Sequence, residues 1–341
     1  MKYVTLGKTG LKVSKIGLGG IPIQKNSAEE VKELLMYLME QGVNYVDSAR
    51  GYTVSEALLG EAMEGHRDRF IIATKSMSVT KEDMARDIDT SLKNFKTDYI
   101  DLYQIHNPSM ENLEKILSEG GAMEALREAK AEGKIGHIGL TAHSTEVFEK
   151  GLSLDEIETI MFPYNIVEFQ GTELIRKAAE KNVGFIDMKP LAGGAIEDGR
   201  LALRYICANP DVTIVIPGMY SVEEAKQNIE AVLDESPLTE EEKQGFDKVR
   251  GELGENFCRR CNYCQPCSAG INISGVFLFA GYLQRYGLEE WAYDRYQSLA
   301  VKPEACVDCG LCETRCPYHL PIREMLRKCA SDFADYEKSL K

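Results

Sequence analysis

Cysteine is almost absent from most of this chain: Cys207 stands alone before nine more fall between Cys258 and Cys329. A disulfide framework suits a small secreted domain, so such lopsided spacing in 341 residues points instead to bound metal and marks a domain boundary. Long apolar runs are also missing. None approaches the roughly 20 residues that span a bilayer, and Met1–Gly20 has no continuous apolar stretch after a basic start. Basic charge is scarce too, with 40 Lys and Arg against 54 Asp and Glu, a net −14. That field repels nucleic acid and anionic membranes, which excludes both as partners and leaves a cytoplasmic protein as the expectation. No G-x-G-x-x-G leads from an expected strand into a helix, which excludes a Rossmann-type flavin domain.

With 44% apolar residues, the chain can bury a large core and still carry an appendage. From Lys15 to about residue 235, short β-rich apolar runs alternate with stretches of helical period, the pattern of a parallel α/β fold. The expected strands are Lys15–Gly19, Val43–Ser48, Phe70–Lys75, Tyr99–His106, Ile135–Thr141, Ile157–Tyr164, Val183–Lys189 and Val212–Pro217. Eight such units close a (β/α)8 TIM barrel. Tyr3–Val13 reads as a hairpin capping the barrel's N-terminal end. The expected division is a barrel over 1–235, a charged helical linker over 236–254 with Thr239 as its N-cap, and a mainly helical cysteine domain over 255–341.

Catalytic groups of such barrels sit at the C-terminal ends of the strands. Strand two ends at Asp47 with Tyr52 five residues on, strand three at Lys75 and strand four at His106. Together they suit carbonyl reduction, where the oxygen gains negative charge as hydride arrives and must receive a proton. Tyr52 is the expected acid, with Lys75 lowering its pKa, Asp47 holding Lys75, and His106 orienting the substrate oxygen. Taken singly, each residue has an ordinary structural reading as a cap, a surface charge or a core hydrogen bond. All four at barrel strand ends outweigh it.

Asp47-Ser48-Ala49-Arg50-Gly51-Tyr52, followed by Ser55-Glu56 and Gly60, resembles the aldo-keto reductase signature, and Lys75 and His106 complete that family's tetrad. The resemblance covers about residues 1–235 and extends to Gly133-Lys134-Ile135, Pro163-Tyr164-Asn165 and Ile216-Pro217-Gly218. It implies hydride transfer from NAD(P)H to aldehydes or ketones, or the reverse from alcohols, with Gly20, Thr141, Lys189, Leu191, Gly218 and Asn228 as cofactor contacts. The chain departs from the family where the nicotinamide is held. Thr141-Ala142 replaces a Ser-Asn pair, Met161 a Gln, and Met188 a stacking aromatic residue. Near Gly218–Asn228, where the family places cations for a 2′-phosphate, the chain has Glu223 and Glu224 beside Lys226, so NADH is favoured at least as much as NADPH. Lys189 and His143 read equally as contacts for a cofactor or acidic substrate and as surface groups.

Cys306, Cys309, Cys312 and Cys316-Pro317 form the C-x2-C-x2-C-x3-C-P run of bacterial ferredoxins, in which the fourth thiolate ligates the other of two cubanes. Cys258, Cys261, Cys264 and Cys267-Ser268 repeat the first three positions 48 residues earlier; the fourth comes one residue sooner, with serine in place of proline. Gly270-Ile271-Asn272-Ile273 then echoes His319-Leu320-Pro321-Ile322. Two 4Fe-4S clusters are expected. Zinc, held by two C-x2-C pairs, is the alternative, although it needs four ligands and not eight. Cys207 and Cys329 read as buried or incidental thiols.

A cubane moves one electron and a reductase of this kind moves a hydride, so three arrangements stay open: a flavin or similar carrier between them, structural or sensing clusters, or single electrons exchanged with a ferredoxin or flavodoxin. The leading expectation is an iron–sulfur oxidoreductase interconverting a small carbonyl and an alcohol with a nicotinamide cofactor. The rivals are an electron-transfer or redox-sensing protein that uses the barrel as a scaffold, and a flavin-dependent reductase.

Overall fold

The computed structural model describes residues 1–254 and 256–340; Glu255, where the cysteine domain is expected to open, and Lys341 lie outside the described residues. Two compact units result. The first comprises 1–191 with 198–239, and the second 192–197 with 240–341.

In the first unit, a hairpin of β1 (Tyr3–Thr5) and β2 (Lys12–Ser14) precedes eight parallel strands: β3 (Leu18–Gly19), β4 (Tyr45–Asp47), β5 (Ile71–Ser76), β6 (Ile100–His106), β7 (Ile135–Thr141), β8 (Thr159–Pro163), β9 (Gly184–Met188) and β10 (Ile214–Ile216). They pair in sequence order. The ends of the sheet meet through parallel bridges Ile16↔Val215 and Gly19↔Gly218, with Gly17 N–H donating to Val215 O and Gly19 N–H to Pro217 O, both at 2.9 Å. Gly19 is dictated by that seam, since a Cβ there would lie 2.9 Å from Ile216 O. The strands expected from sequence are all present, most of them shortened at one or both ends because only the paired residues count as strand.

Between the strands run α1 (Ala28–Glu40), α2 (Ser55–Ala62), α3 (Lys81–Asn94), α4 (Met110–Leu117), α5 (Ala122–Ala131), α6 (Thr145–Gly151), α7 (Thr172–Glu180), α8 (Gly199–Cys207) and α9 (Val222–Leu233). Their starts are written in the sequence. Ser27 caps α1 in a reciprocal capping box with Glu30, and Thr80, Ser109, Ser144, Asp198 and Ser221 accept from backbone N–H groups at the starts of α3, α4, α6, α8 and α9. Strand alternation sends Val46, Ile72, Tyr103 and Phe185 outward to the helices and Tyr45, Ala73, Leu102, Ile186 and Ile214 into the barrel. The hairpin's Leu6 and Val13, both 0% exposed, join that inner cluster and close the barrel's lower end.

The second unit holds α10 (Glu240–Leu253), α11 (Ile273–Arg285), α12 (Glu289–Gln297), α13 (Leu311–Arg315) and α14 (Ile322–Ser339). This differs from the linker expected over 236–254. Arg204 donates to the carbonyls of Asp234, Ser236 and Pro237, which fixes 234–237 against α8 in the first unit, whereas α10 counts with the second. Residues 192–197, expected in the barrel, also fall in the second unit, where Gly193 O accepts from Arg285 Nε at 2.9 Å. Among the described residues, no helix is long and apolar enough to cross a membrane.

Truncating Leu6 to alanine leaves a void under the barrel and is expected to cost about 2–5 kcal/mol of stability. Chemical denaturation checks this; a loss below about 0.5 kcal/mol would show that the hairpin does not plug the barrel.

Candidate active site and cluster loops

Alternation on adjacent strands brings Asp47 of β4, Lys75 of β5 and both Gln104 and His106 of β6 to the inner face near the strands' C-terminal ends. Lys75 is 1% exposed and Asp47 3%. The Lys75 ammonium donates to Asp47 Oδ2 and, at 2.7 Å, to Ser48 O. Gln104 Nε2 donates to Asp47 Oδ1 at 3.1 Å. Burial pushes the Asp47 carboxyl up from its ordinary value, while Lys75 and Gln104 pull the other way. Tyr52, half-buried on the loop after β4, lies with its ring centre 5.1 Å from Lys75 Nζ and 6.1 Å from the His106 ring, edge to face. All four expected tetrad residues therefore meet at one end of the barrel.

The loop that carries Tyr52 is held by a residue whose role the sequence did not reveal. Glu56, 1% exposed, accepts from Thr74 Oγ1 at 2.7 Å, Ser91 Oγ at 2.8 Å, Arg50 Nη1 at 2.5 Å and Asn94 Nδ2 at 3.0 Å. Thr74 is the neighbour of Lys75, so this buried carboxylate ties the Tyr52 loop to the strand that bears the lysine. Ser55 Oγ likewise donates to Gly20 O at 2.8 Å. Gln104 was also missed; its signal was the two-residue spacing from His106, which puts both on one face of β6.

The expected cofactor contacts fall into separate groups. Gly20 and Gly218 flank the seam: a Cβ on Gly20 would lie 2.6 Å from Asp47 O, and one on Gly218 2.7 Å from Pro22 Cγ. Leu191 and Asn228 both approach Gly199 at the start of α8, within 3.5 and 3.9 Å of where its Cβ would be. Thr141 ends β7 opposite Met161, and its Oγ1 accepts from Asn107 N–H at 2.9 Å, which leaves the hydroxyl's own proton to donate. Lys189 follows β9 in a left-handed backbone at φ +57°, and its carbonyl accepts from Asn165 Nδ2 at 3.0 Å. The Thr141 hydroxyl fits the edge of a nicotinamide cofactor, whereas Met161 and Met188, 1% and 9% exposed, belong to the barrel's inner cluster.

In the second unit the two cysteine runs repeat in backbone as well as in sequence. Left-handed φ occurs at Arg260 and Asp308, at Asn262 and Gly310, and at Gly270 and His319. The first two pairs are 48 residues apart and the third 49, the shift that the fourth cysteine introduces. Such turns aim successive N–H groups at one point, a nest suited to anionic sulfur. Tyr263 N–H donates to Cys261 Sγ and Leu311 N–H to Cys309 Sγ, again equivalent positions. After each run, buried apolar pairs, Ile271 with Ile273 and Leu320 with Ile322, lead into α11 and α14.

Cysteines of the two runs also mingle. One cavity is lined by Cys306, Cys309 and Cys312 from the second run together with Cys267 from the first. Cys261 in turn lies near Cys316, and Cys264 near Cys258, Cys261 and Cys312. Burial pushes the Cys264 thiol up to about 12, a penalty that cationic iron would remove. The thiol sets fit two clusters. Among the described residues, no three His, Cys, Asp or Glu side chains converge as they would on a single ion.

Comparison with known proteins agrees with both halves. Residues 15–201 match the model of the Aldo/keto reductase family, more than half of the chain. The chain belongs to that family. Its residues 257–321 also match a 4Fe-4S dicluster domain. This aldo-keto reductase is 28% identical over 299 residues to L-galactose dehydrogenase of Arabidopsis thaliana, covering 71% of this chain and 90% of the plant protein. It is 30% identical over 205 residues to the aldo-keto reductase YhdN of Bacillus subtilis, covering 53% and 59%. Among solved structures it resembles the holo form of aldo-keto reductase AKR11C1 from Bacillus halodurans, with a TM-score of 0.63, 27% identity, and 73% of this chain and 96% of that one covered.

Gly310, at φ +73°, occupies a backbone conformation that a β-branched residue enters only with strain. Gly310→Val is therefore expected to lower the iron content of the 4Fe-4S domain, as its second cysteine loop fails. Iron analysis with cluster absorbance checks it; full loading would show that the nest is not needed.

Proposed function

We propose that this aldo-keto reductase interconverts a small carbonyl compound and its alcohol in the barrel, while two 4Fe-4S clusters exchange single electrons with a ferredoxin- or flavodoxin-type partner in the cytoplasm. The observation that carries the reading is the buried Lys75–Asp47 pair with its ammonium 5.1 Å from the centre of the Tyr52 ring. A phenol beside a fixed ammonium gives up its proton more readily, because the phenolate is stabilised as it forms. Tyr52 is thus the donor to the carbonyl oxygen. Lys75 stabilises the phenolate left behind, Asp47 keeps Lys75 in place, and His106 hydrogen-bonds the same oxygen and sets its direction. Removing either partner of the buried pair would leave an uncompensated charge costing about 3–5 kcal/mol.

A nicotinamide bound across the seam at Gly20 and Gly218, with Thr141 at its edge, would supply the hydride. Glu224 at the start of α9, partly buried and hydrogen-bonded by Tyr220 N–H, puts acid where a 2′-phosphate would sit, which supports NADH over NADPH. Two relatives carry names of sugar oxidoreductases, L-galactose dehydrogenase and the 6-dehydroglucose reductase of Novosphingobium aromaticivorans. A hydroxyl-bearing substrate of that kind is consistent with the polar mouth formed by Tyr52 and His106. Cys258, Cys261, Cys264 and Cys316 would hold one cluster, and Cys267, Cys306, Cys309 and Cys312 the other.

Tyr52→Phe is expected to lower kcat for carbonyl reduction by about 10²- to 10⁴-fold, the usual weight of a general acid, with cluster absorbance unchanged. Turnover within twofold of wild type would remove Tyr52 from the chemistry. Anaerobic titration with NADH and NADPH, following cofactor fluorescence, should show tighter binding of NADH; absence of binding by either would favour a scaffold for electron transfer.

A further inference from the structure

One difference between the two runs bears on a cluster sulfur. After the fourth cysteine, the second run has Pro317 and the first has Ser268. Proline carries no side-chain donor, whereas the Ser268 hydroxyl lies 3.2 Å from Cys309 Sγ, within hydrogen-bonding reach of sulfur. The reading that Cys309 ligates iron fixes the direction of that bond. A metal-bound thiolate has no proton, so Ser268 Oγ–H must donate and the sulfur accept.

Fusing the runs by exchange of their fourth thiolates explains how the contact arises. Cys267 sits in the cavity lined by Cys306, Cys309 and Cys312, so the residue that follows Cys267 is delivered to that second site and not to the site of its own run. By the same exchange, Pro317 follows Cys316 to the first site, where it has nothing to donate. Backbone N–H donors occur at both sites: Tyr263 to Cys261 and Leu311 to Cys309 match across the repeat, and Arg260 N–H lies 3.4 Å from Cys258 Sγ in the first run. Exposure acts in the same direction as the serine: Cys309 is the one exposed thiol among the eight. A hydrogen bond to a ligand sulfur withdraws electron density and favours the reduced, more negative cluster, as solvent does.

We propose that Ser268 is a redox-tuning residue: its hydroxyl raises the reduction potential of the second cluster by donating to the Cys309 sulfur, and leaves the first cluster untouched. In the corresponding step, a reduced first cluster loses one electron and an oxidised second cluster gains it, with no proton or atom transferred, and Ser268 shifts that equilibrium toward the second cluster. Cations near the sites set the absolute potentials of both: Arg259 beside Cys261 at the first, and Arg323, paired with Glu313, at the second. The serine's contribution is the part that one substitution can isolate.

The inference rests on the two-cluster reading, which iron and sulfide analysis of the anaerobically loaded full chain tests separately. Given two clusters, potentiometric titration followed by electron paramagnetic resonance compares wild type, Ser268→Ala and Ser268→Thr. In Ser268→Ala one midpoint should fall, lowering the reduced-to-oxidised ratio of that cluster about three- to tenfold at a fixed potential, the weight of one hydrogen bond, while the other midpoint stays. Ser268→Thr, which keeps the hydroxyl, should restore it. Two unchanged midpoints, an equal fall in both, or no recovery with threonine would overturn the proposal. Resonance Raman spectra of the wild-type protein in H2O and D2O give a readout without substitution. An iron–sulfur stretch that shifts on exchange, by more in wild type and Ser268→Thr than in Ser268→Ala, supports the bond; identical shifts in all three contradict it.

Discussion

The active end of the barrel depends on an ammonium kept out of water. At 1% exposure Lys75 is held by donating hydrogen bonds to Asp47 and the Ser48 carbonyl, and Gln104 donates to the other carboxylate oxygen of Asp47. Each of these groups needs a strand in register with its neighbour. Asp47 pairs with Ala73 on β5 and Lys75 with Gln104 on β6, so a slip of one residue would turn the ion pair out of the barrel. The continuous parallel pairing and the seam at Gly19 and Gly218 are what keep that register.

The second unit solves a different problem, that of collecting eight sulfurs, and it does so by repetition. Residues with left-handed backbone recur at matched positions in both runs, and apolar pairs at the head of α11 and α14 anchor each loop to a helix. Cys267 of the first run joins Cys306, Cys309 and Cys312 of the second around one cavity, so that cavity depends on both runs. A small unit of short loops thereby gains long-range connections that its modest apolar core would not supply.

Most of the fold was legible because its signals are local. Strand alternation, helix caps at Ser27 and Thr80, and the spacing of the cysteines each depend on a few adjacent residues. The meeting of Asp47, Lys75 and His106 was legible for a related reason: each lies at or near a strand end, and barrel geometry sends strand ends to one mouth. The role of Glu56 was not, although it stands in the signature, because its four partners come from α3, β5 and the loop after β4. The compact units divide the chain differently from the expected domains for the same reason: the segment 192–197 groups with the second unit, where Arg285, far away in sequence, donates to Gly193 O.

By itself the sequence determined the classes of structure: an α/β barrel with an aldo-keto reductase tetrad, and a pair of ferredoxin-like runs whose repeat could be counted in residues. Hydrophobic period and ligand spacing are enough for that, since both act over one or two turns of chain. Tertiary structure decided which side chains share a site. It placed Gln104 under Asp47, gave Glu56 to the Tyr52 loop, and carried Ser268 to Cys309, 41 residues away. Those contacts follow from strand register and from the approach of the two cysteine runs, and a linear pattern holds neither until the chain has closed on itself.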